Sequence, residues 1–447
     1  MSTRTNEYIA RRKALLAGGI GNFVEWFDFA LYAQFATIIG FHFFPSDDPT
    51  ASLLATFAVF AVGFLARPLG GLLFGHFGDK HGRKSALSAA VLLMSGATLA
   101  IGLTPSHATI GVFAPILLLV WRCLQGLSAG GEYAGSSSFV IEYAPPGKRA
   151  LWASVNPVAT ALGTIGGAIV GLLVTLSMTE QTLLDFGWRI PFLIAAPLGI
   201  AGLYLRSKVE ETPEFRATQL SGSLTEATHA PVVEAFKLHK KTMFILFGWA
   251  AFNAVAFYLL TSYTVAFMTE TVGLSQQQSL TVYILGLGAF TLFSPIAGLL
   301  ADRYGPDRVA TASAVALGVA VLPAFTLMSS GSPIAAVIGL GVYGVIVGAI
   351  AVLTPLLMVD LFPVRVRYTA SAVSYNLAYA IFGGTAPYVA TYMVSRTGAA
   401  VAPSYYVIGL SVVAVITAAT GLGWFYRNVR RDAASAPAST LPRVGVN

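Results

Sequence analysis

Apolar residues along the chain fall into twelve long runs separated by short polar segments. A helix needs about 20 residues to cross the ~30 Å hydrocarbon core of a bilayer, and the runs are of that size. The pattern therefore predicts an all-α membrane protein with twelve transmembrane helices. The runs cover residues 14–40, 52–76, 85–104, 111–143, 150–177, 187–207, 241–268, 278–300, 309–329, 333–359, 369–394 and 404–426.

Composition supports this prediction. The 447 residues are 55% hydrophobic and only 11% charged, and the mean hydropathy of +0.71 excludes an ordinary soluble protein. The single cysteine, Cys123, lies inside a predicted helix and can form no disulfide framework. The first apolar run is longer than the core of a cleavable signal and contains Glu25 and Asp28, so we expect it to be retained as the first helix.

The net charge of +7 would suit a nucleic-acid partner, but the distribution of the charge has a simpler explanation. If both termini are cytoplasmic, all but four of the 27 Lys and Arg residues lie on or near that side, the exceptions being Arg67, Arg122, Arg189 and Arg396. This asymmetry follows the positive-inside rule. We therefore expect a lipid bilayer as the partner, and no nucleic acid.

Two similar polar segments lie 223 positions apart, which is about half the chain. The first contains Asp79 and Lys80 followed by Arg83, and the second contains Asp302 and Arg303 in the places of Asp79 and Lys80. Each segment follows the second predicted helix of its half. The spacing predicts two homologous six-helix repeats.

A second pairing supports the repeat. Arg149 follows Glu142 by seven residues, and Arg367 follows Asp360 by seven residues. The predicted domains are a six-helix bundle over residues 1–206, a cytoplasmic linker over 207–240, a second six-helix bundle over 241–426 and a cytoplasmic tail over 427–447.

Arg122 lies near the middle of the fourth apolar run. An arginine at the centre of a spanning helix costs roughly 2.5–3.5 kcal/mol on insertion scales, so it is kept where it faces a partner or a watery cavity. One interpretation is a structural ion pair inside the bundle. The other is a residue of a transport pathway that meets a carboxylate of the protein or of the substrate.

The first predicted helix carries a polar stripe. Asn22, Glu25, Asp28 and Tyr32 are spaced by three, three and four residues, so they follow one face of a helix and could line one cavity wall. Asp28 and Arg122 both lie about midway along their helices, which predicts similar depth. They could form a switchable pair or a permanent structural ion pair.

Other polar residues lie in apolar runs. Arg67 and Glu132 are at comparable depth and are interpreted as a structural ion pair. In the second half the polar or amphipathic candidates are Asn253, Tyr258, Tyr375 and Asn376. Each could be a packing residue, but together with Arg122 and Tyr32 they would suit a substrate site at the midplane between two repeats.

Glycines recur at intervals of four in the fifth apolar run, at Gly163, Gly167 and Gly171. Small residues at this spacing allow two helices to approach closely. The pattern predicts a close contact between this helix and a neighbour.

Several motifs resemble those of the metabolite:proton symporter family within the major facilitator superfamily. They are the segments 21–29, 67–71, 125–133, 187–192 and 382–384, together with the polar segment around Asp79. The family includes permeases for organic acids and for the osmolytes proline and betaine. The resemblance implies the major facilitator fold and a bacterial cytoplasmic membrane location.

The resemblance also implies roles for the charged residues. It implies that Asp28, with Glu25 as the next candidate, couples proton binding to substrate binding at Arg122. It further implies a cytoplasmic gate that latches the outward-open state, formed by Asp79, Arg83, Glu142, Arg149, Asp302 and Arg303. The alternative for the gate residues is a solvated rim with no latching role.

The predicted function is proton symport of a small carboxylate-bearing metabolite. An organic-acid anion is the first choice because the planar guanidinium of Arg122 suits a carboxylate. A zwitterion such as proline or betaine is the alternative, since aromatic rings could hold its cationic end. A receptor or channel of the same fold is the rival from another class. No spacing of residues in the sequence indicates a catalytic nucleophile or a set of metal ligands, so an enzyme is not supported. We expect a monomer without cofactor or metal.

The topology can be tested by cysteine labelling in a Cys123→Ser background. With both termini inside, an impermeant thiol reagent should label Asp47→Cys in intact cells and leave Leu220→Cys unlabelled until the membrane is opened. The reverse pattern would overturn the orientation derived from the charge distribution.

Overall fold

The computed structural model describes residues 19, 22–70, 73–74, 83–130, 133, 137, 140–141, 144–207, 239–362 and 364–428. Over these ranges the regular elements are all helical. They fall into twelve successive segments, here called α1 to α12, and agree with the all-α fold expected from the hydrophobic pattern.

The first six segments occupy the amino-terminal half. α1 comprises the helical residues 22–34 and, after a turn at Phe35, the helix Ala36–Phe43. The others are α2 (Pro49–Gly70), α3 (Arg83–Leu103), α4 (Phe113–Ala129), α5 (Arg149–Ser177) and α6 (Arg189–Ser207), the last preceded by the bent helix Glu180–Gly187.

The second six segments are α7 (Lys240–Thr271), α8 (Gln276–Tyr304), α9 (Pro306–Met328), α10 (Pro333–Asp360), α11 and α12 (Ala402–Asn428). α11 consists of Val364–Ala378, a π-helical turn at Tyr379–Gly383 and Ala386–Thr397. α7 has a similar π-helical turn at Leu259–Tyr263.

Seven of these helices, α2, α5, α7, α8, α9, α10 and α12, are each long and apolar enough to cross a membrane. The number is eight if Glu180–Gly187 and Arg189–Ala201, which meet at 49°, form one span. The observed helices of the second half begin and end within a few residues of the predicted runs. The predicted end of the fourth run lies mostly outside the described residues.

The predicted close contact of α5 is confirmed, and its neighbour is α1. A Cβ added at Gly163 would clash with the backbone carbonyl of Phe23, and one at Gly167 would lie 3.3 Å from the carbonyl oxygen of Phe27. Glycine is therefore needed for the two backbones to approach. This contact fixes the face that α1 turns towards the centre.

Two polar contacts join the halves at the end of the bundle that the charge distribution assigns to the cytoplasm. Arg149 Nη2 lies 2.8 Å from Asp360 Oδ1, and the Tyr426 hydroxyl donates to the other carboxylate oxygen at 3.0 Å. The carboxylate of Asp302 accepts hydrogen bonds from the backbone N–H groups of Ala150 and Leu151, at 2.8 and 2.9 Å. An acid thus holds the amino-terminal turn of α5.

The halves also meet at the centre and towards the opposite end. At the centre, the Trp26 and Phe257 rings lie 5.2 Å apart, edge to face. Towards the other end, the Gln276 side chain donates to the backbone carbonyl of Gln34 at 3.1 Å. Contacts between the halves therefore occur near both ends of the bundle and between them.

These contacts include part of the predicted gate. Arg149 and Asp302 both touch the opposite half, whereas the exposed Arg303 lies over the neighbouring Tyr304 ring at 5.3 Å. Asp79, Glu142 and the side chain of Arg83 lie outside the described residues. The gating role of the whole set stays a prediction.

The contact of Asp302 with α5 and the contact of Arg149 with Asp360 should differ in strength. A hydrogen bond to a charged group contributes about 1.5–3 kcal/mol, whereas an exposed ion pair contributes about 0–1 kcal/mol, and the Arg149 side chain is 42% exposed. We therefore expect Asp302→Ala to open the cytoplasmic end more than Arg149→Gln.

Thiol labelling of Asn376→Cys from the cytoplasmic side, in a Cys123→Ser background, measures this opening because residue 376 faces α4. Arg308→Gln, which changes an exposed arginine outside the predicted gate, is the control and should not change the labelling rate. Equal rates for Asp302→Ala and the parent would show that this contact does not close the pathway.

Candidate functional site

Arg122 on α4 is fully buried and surrounded by aromatic rings. Its guanidinium carbon lies 4.2 Å from the ring centroid of Tyr32, 4.8 Å from that of Phe60 and 5.0 Å from that of Phe29. Such cation–π contacts contribute about 2 kcal/mol or more when they are desolvated. The rings offset part of the cost of burial without neutralising the charge.

The hydrogen-bond donors of Arg122 are only partly used. Nη1 donates to Oε1 of Gln125 at 2.6 Å. In the part of the chain that the structure describes, Nε and Nη2 have no hydrogen-bond partner. Buried donors without a partner are costly, about 1–3 kcal/mol and more for charged groups. The site therefore has donors that a carboxylate could accept from.

Asp28 on α1 is also fully buried, but it faces α3. The Ser95 hydroxyl donates to its Oδ2 at 3.4 Å, and Thr98 lies close enough to interact with the same carboxylate. Among the described residues, Asp28 and Arg122 form no direct ion pair. The switchable or permanent contact considered from the sequence is therefore absent in this conformation.

Arg67 on α2 lies beside Glu25 on α1. The Nη2 to Oε1 distance is 3.9 Å, and the guanidinium carbon lies 4.2 Å from the Phe64 ring and 4.9 Å from the Phe29 ring. Phe29 thus contacts both buried arginines. Glu132, the partner expected for Arg67, lies outside the described residues, so that pair stays a prediction.

The buried charges balance closely. Within the described ranges, the buried charged residues are Glu25, Asp28, Arg67 and Arg122, and all four belong to the first half. With both acids ionised the set is neutral. Protonation of one acid leaves one excess positive charge in a low-dielectric site, which favours binding of a single carboxylate.

The polar stripe of α1 contacts several helices. Asn22 donates to the carbonyl of Asn156 and to the Thr160 hydroxyl on α5 at 2.9 and 2.7 Å. The Tyr32 hydroxyl donates to the carbonyl of Thr56 on α2 at 2.9 Å. The stripe is buried as expected, but its members diverge towards different neighbours.

The second half contributes uncharged groups. Asn253 Nδ2 donates to the Thr354 hydroxyl and to the Tyr379 hydroxyl, both at 2.8 Å. The Tyr258 ring lies 4.9 Å from Phe64 and 5.9 Å from Trp26, both of the first half. Tyr258 therefore lies at the central interface, whereas the hydrogen bonds of Asn253 stay within the second half.

Tyr375 and Asn376 join α11 to the fourth predicted helix. The Tyr375 ring stacks on Tyr133 at 4.9 Å with an interplanar angle of 3°. The Asn376 side chain donates to the carbonyl of Gly130 at 3.4 Å. In this conformation both residues hold the halves together, and their role in substrate binding stays a prediction.

Sequence reasoning named Tyr32 and Glu25, which lie beside the two arginines, but missed the other residues that surround them. Gln125 is three residues after Arg122, a spacing that could have indicated a contact on one helix face. Phe29, Phe60 and Phe64 carry no such signal, because a phenylalanine in an apolar helix is the ordinary case.

Comparison with known proteins agrees with this architecture. The family model described as Major Facilitator Superfamily matches residues 18–373 and 266–444. The proline/betaine transporter of Salmonella typhimurium is 37% identical over 412 residues, covering 91% of this chain and 82% of that protein. A putative proline/betaine transporter of Staphylococcus aureus is 36% identical over 436 residues, covering 94% and 92%.

Solved structures show the same fold at lower identity. A proton:xylose symporter bound to 6-bromo-6-deoxy-D-glucose superposes with a TM-score of 0.73 at 17% identity, covering 91% of this chain and 94% of that one. A partially occluded inward-open xylose transporter of Escherichia coli gives 0.72 at 16% identity, covering 91% and 96%. With its helical architecture and the family model matching nearly all of its length, the chain belongs to the major facilitator superfamily of membrane transporters.

Proposed function

We propose that this protein is a proton-coupled symporter that imports a zwitterionic, carboxylate-bearing osmolyte such as proline or betaine by alternating access. The named relatives favour this substrate class over the organic-acid anion that was the first choice from the sequence. We also propose that it acts as a monomer in a bacterial cytoplasmic membrane, without a cofactor.

The single observation that carries the proposal is the buried guanidinium of Arg122 with two donors unused among the described residues. A planar guanidinium can bind a carboxylate through two parallel hydrogen bonds. The surrounding rings exclude water and strengthen those bonds. A substrate carboxylate would therefore supply the partners that these donors lack.

The aromatic groups at the interface suit the other end of a zwitterion. The Phe64 ring lies 4.2 Å from the Arg67 guanidinium carbon, and the Tyr258 ring of the second half lies 4.9 Å from Phe64 and 5.9 Å from Trp26. Ring faces attract quaternary and secondary ammonium groups. Among the described buried residues, protonation of one acid leaves one excess positive charge, which matches one carboxylate better than the two or three of a di- or tricarboxylic acid.

Asp28 is the proposed proton carrier. It is buried near the substrate arginine, and two hydroxyl-bearing residues of α3 surround its carboxylate. Protonation of Asp28 would leave the excess positive charge that the substrate carboxylate neutralises. Proton and substrate binding would then favour each other, as symport requires.

Alternating access would use the two six-helix bundles, over residues 1–206 and 241–426, as the moving parts. The proposed cytoplasmic gate opens when Asp302 leaves α5 and Arg149 leaves Asp360. A non-transporting receptor would bind substrate without accumulating it, and a channel would not concentrate it against its electrochemical gradient.

Binding can be tested with Arg122→Ala and Arg122→Lys. Removing one partner of a buried charged contact costs about 2–5 kcal/mol, so Arg122→Ala should weaken betaine or proline binding at least ~30-fold. Arg122→Lys should recover only part of the loss because an ammonium cannot form the planar fork. Calorimetric titration of the purified protein gives these affinities.

The same titration should include mono-, di- and tricarboxylates as a panel. Binding by these acids, with none by proline or betaine, would overturn the proposed substrate class. Unchanged betaine affinity in Arg122→Ala would remove this residue from the substrate site.

Coupling can be tested with Asp28→Asn in reconstituted vesicles. This change should abolish uphill uptake driven by an inward proton gradient while substrate exchange across the membrane continues, because the binding site remains but no proton is carried. Glu25→Gln tests the next candidate acid in the same assay, and Asp185→Asn, which changes an exposed acid outside the buried set, is the control and should keep uphill uptake. Normal accumulation by Asp28→Asn would exclude Asp28 as the carrier.

A further inference from the structure

The side chain of Gln125 lies between Arg122 and the neighbourhood of Asp28. Its Oε1 accepts a hydrogen bond from Arg122 Nη1 at 2.6 Å, and its Nε2 donates to the Thr98 hydroxyl at 2.7 Å. Thr98 in turn lies within interacting distance of the Asp28 carboxylate. Hydrogen bonds therefore link the α4 guanidinium to the Thr98 hydroxyl of α3. In this conformation that hydroxyl donates to the Met94 carbonyl at 3.0 Å, and Oδ1 of the nearby Asp28 has no hydrogen-bond partner among the described residues.

We propose that Gln125 is the positioning residue that transmits the protonation state of Asp28 to the substrate-binding guanidinium of Arg122. This inference rests on the proposed function. It concerns the mechanism by which proton binding at Asp28 changes substrate binding at Arg122. The proposed function requires only that the two binding events are coupled.

Burial makes each hydrogen bond of this polar chain difficult to replace. Arg122, Gln125, Thr98 and Asp28 are each at 0% exposure, so bulk water does not replace a lost hydrogen bond. An amide is suited to the middle position because one end accepts and the other donates. Glutamate could accept from Arg122 but could not donate to Thr98 when ionised, and leucine could do neither.

The Thr98 hydroxyl is the element that responds to the proton. With Asp28 ionised, the hydroxyl can donate to the carboxylate, which makes its oxygen a stronger acceptor for Gln125. With Asp28 protonated, the hydroxyl can donate to the carbonyl of Met94, 3.0 Å away, and its oxygen becomes a weaker acceptor. The polarisation of the Gln125 amide is therefore larger when Asp28 is ionised and smaller when Asp28 is protonated.

The change in the polarisation of the Gln125 amide also changes the strength of its hydrogen bond to Arg122. When Gln125 is polarised by the ionised acid, it holds the Arg122 guanidinium firmly. When the acid is protonated this hold weakens, and the guanidinium can turn towards a substrate carboxylate. Proton binding thereby raises substrate affinity without any direct contact between Asp28 and Arg122.

Other titratable and charged groups also surround this chain in the described residues. They are Glu25 and Tyr32 on α1, Arg67 on α2, Cys123 on α4 and Tyr258 on α7. α3 contributes the uncharged Ser95 and Thr98, and α5 contributes the uncharged Thr160. Substitutions at Gln125 and Thr98 leave all the ionisable groups in place.

The test measures the ratio of betaine affinities between about pH 6 and about pH 8, because that ratio reports the linkage of proton to substrate. The wild-type protein should bind more tightly at the lower pH, by a factor within the ~5–150-fold range typical of coupled sites. Gln125→Leu and Thr98→Val should reduce this ratio to about 2-fold or less, with binding still measurable at both pH values.

Two variants control for structure. Thr98→Ser restores the hydroxyl and should retain the wild-type ratio. Thr56→Val removes another fully buried hydroxyl, one that donates only to the carbonyl of Ser52 in its own helix, and should also retain it. Thermal unfolding of each purified variant identifies any that fails to fold. If Gln125→Leu fails to fold, the comparison of Thr98→Val with Thr98→Ser still tests the relay.

The two proposals fail in different ways. If wild-type protein binds neither betaine nor proline, or binds them equally at both pH values, the proposed function is overturned. If the wild-type ratio is large and Thr98→Val and Gln125→Leu keep it, the relay through Gln125 is overturned while proton-coupled transport stands. Loss of the ratio in Thr98→Ser as well would assign the effect to packing and would also overturn the relay.

Discussion

The central constraint on this molecule is the buried guanidinium of Arg122, which has no neutralising acid in direct contact among the described residues. A buried charge must be compensated by the residues around it. Around Arg122 the compensation comes from three ring faces and one amide, which stabilise the cation but leave donors unused among the described residues. The close packing of α1 against α5 helps to hold the face of α1 that carries two of those rings.

The halves contribute different chemistry to the centre. The buried charges of the described chain all belong to the first half, whereas the second half provides tyrosine rings and neutral amides. A neutral partner can slide or rotate against a charged one without breaking ion pairs at the centre. The charged contacts between the halves are instead found near one end, where they can act on access without altering the binding groups.

Much of the fold could be predicted because hydrophobic length is a local property of the sequence. The apolar runs gave helix bounds close to those observed, and the glycine spacing in the fifth run indicated a real helix contact. Depth along a helix was less informative, since it cannot distinguish acids at similar levels on different helices. Depth did not indicate that Glu25 lies beside Arg67, and the pairing of Arg67 with Glu132 stays a prediction. The rings and Gln125 around Arg122 depend on helix rotation, which one sequence does not encode locally.

The contact of Asp302 with α5 has a consequence for how the protein tolerates sequence change. Its acceptor is a side chain, but its two donors are peptide N–H groups at positions 150 and 151. Every amino acid except proline supplies such a donor. The two donors therefore survive any change at these positions other than to proline, and no compensating change at position 302 is required, although packing still limits the size of the side chain at the buried Ala150. A search for co-varying pairs across the two halves would overlook this contact, even though it joins them.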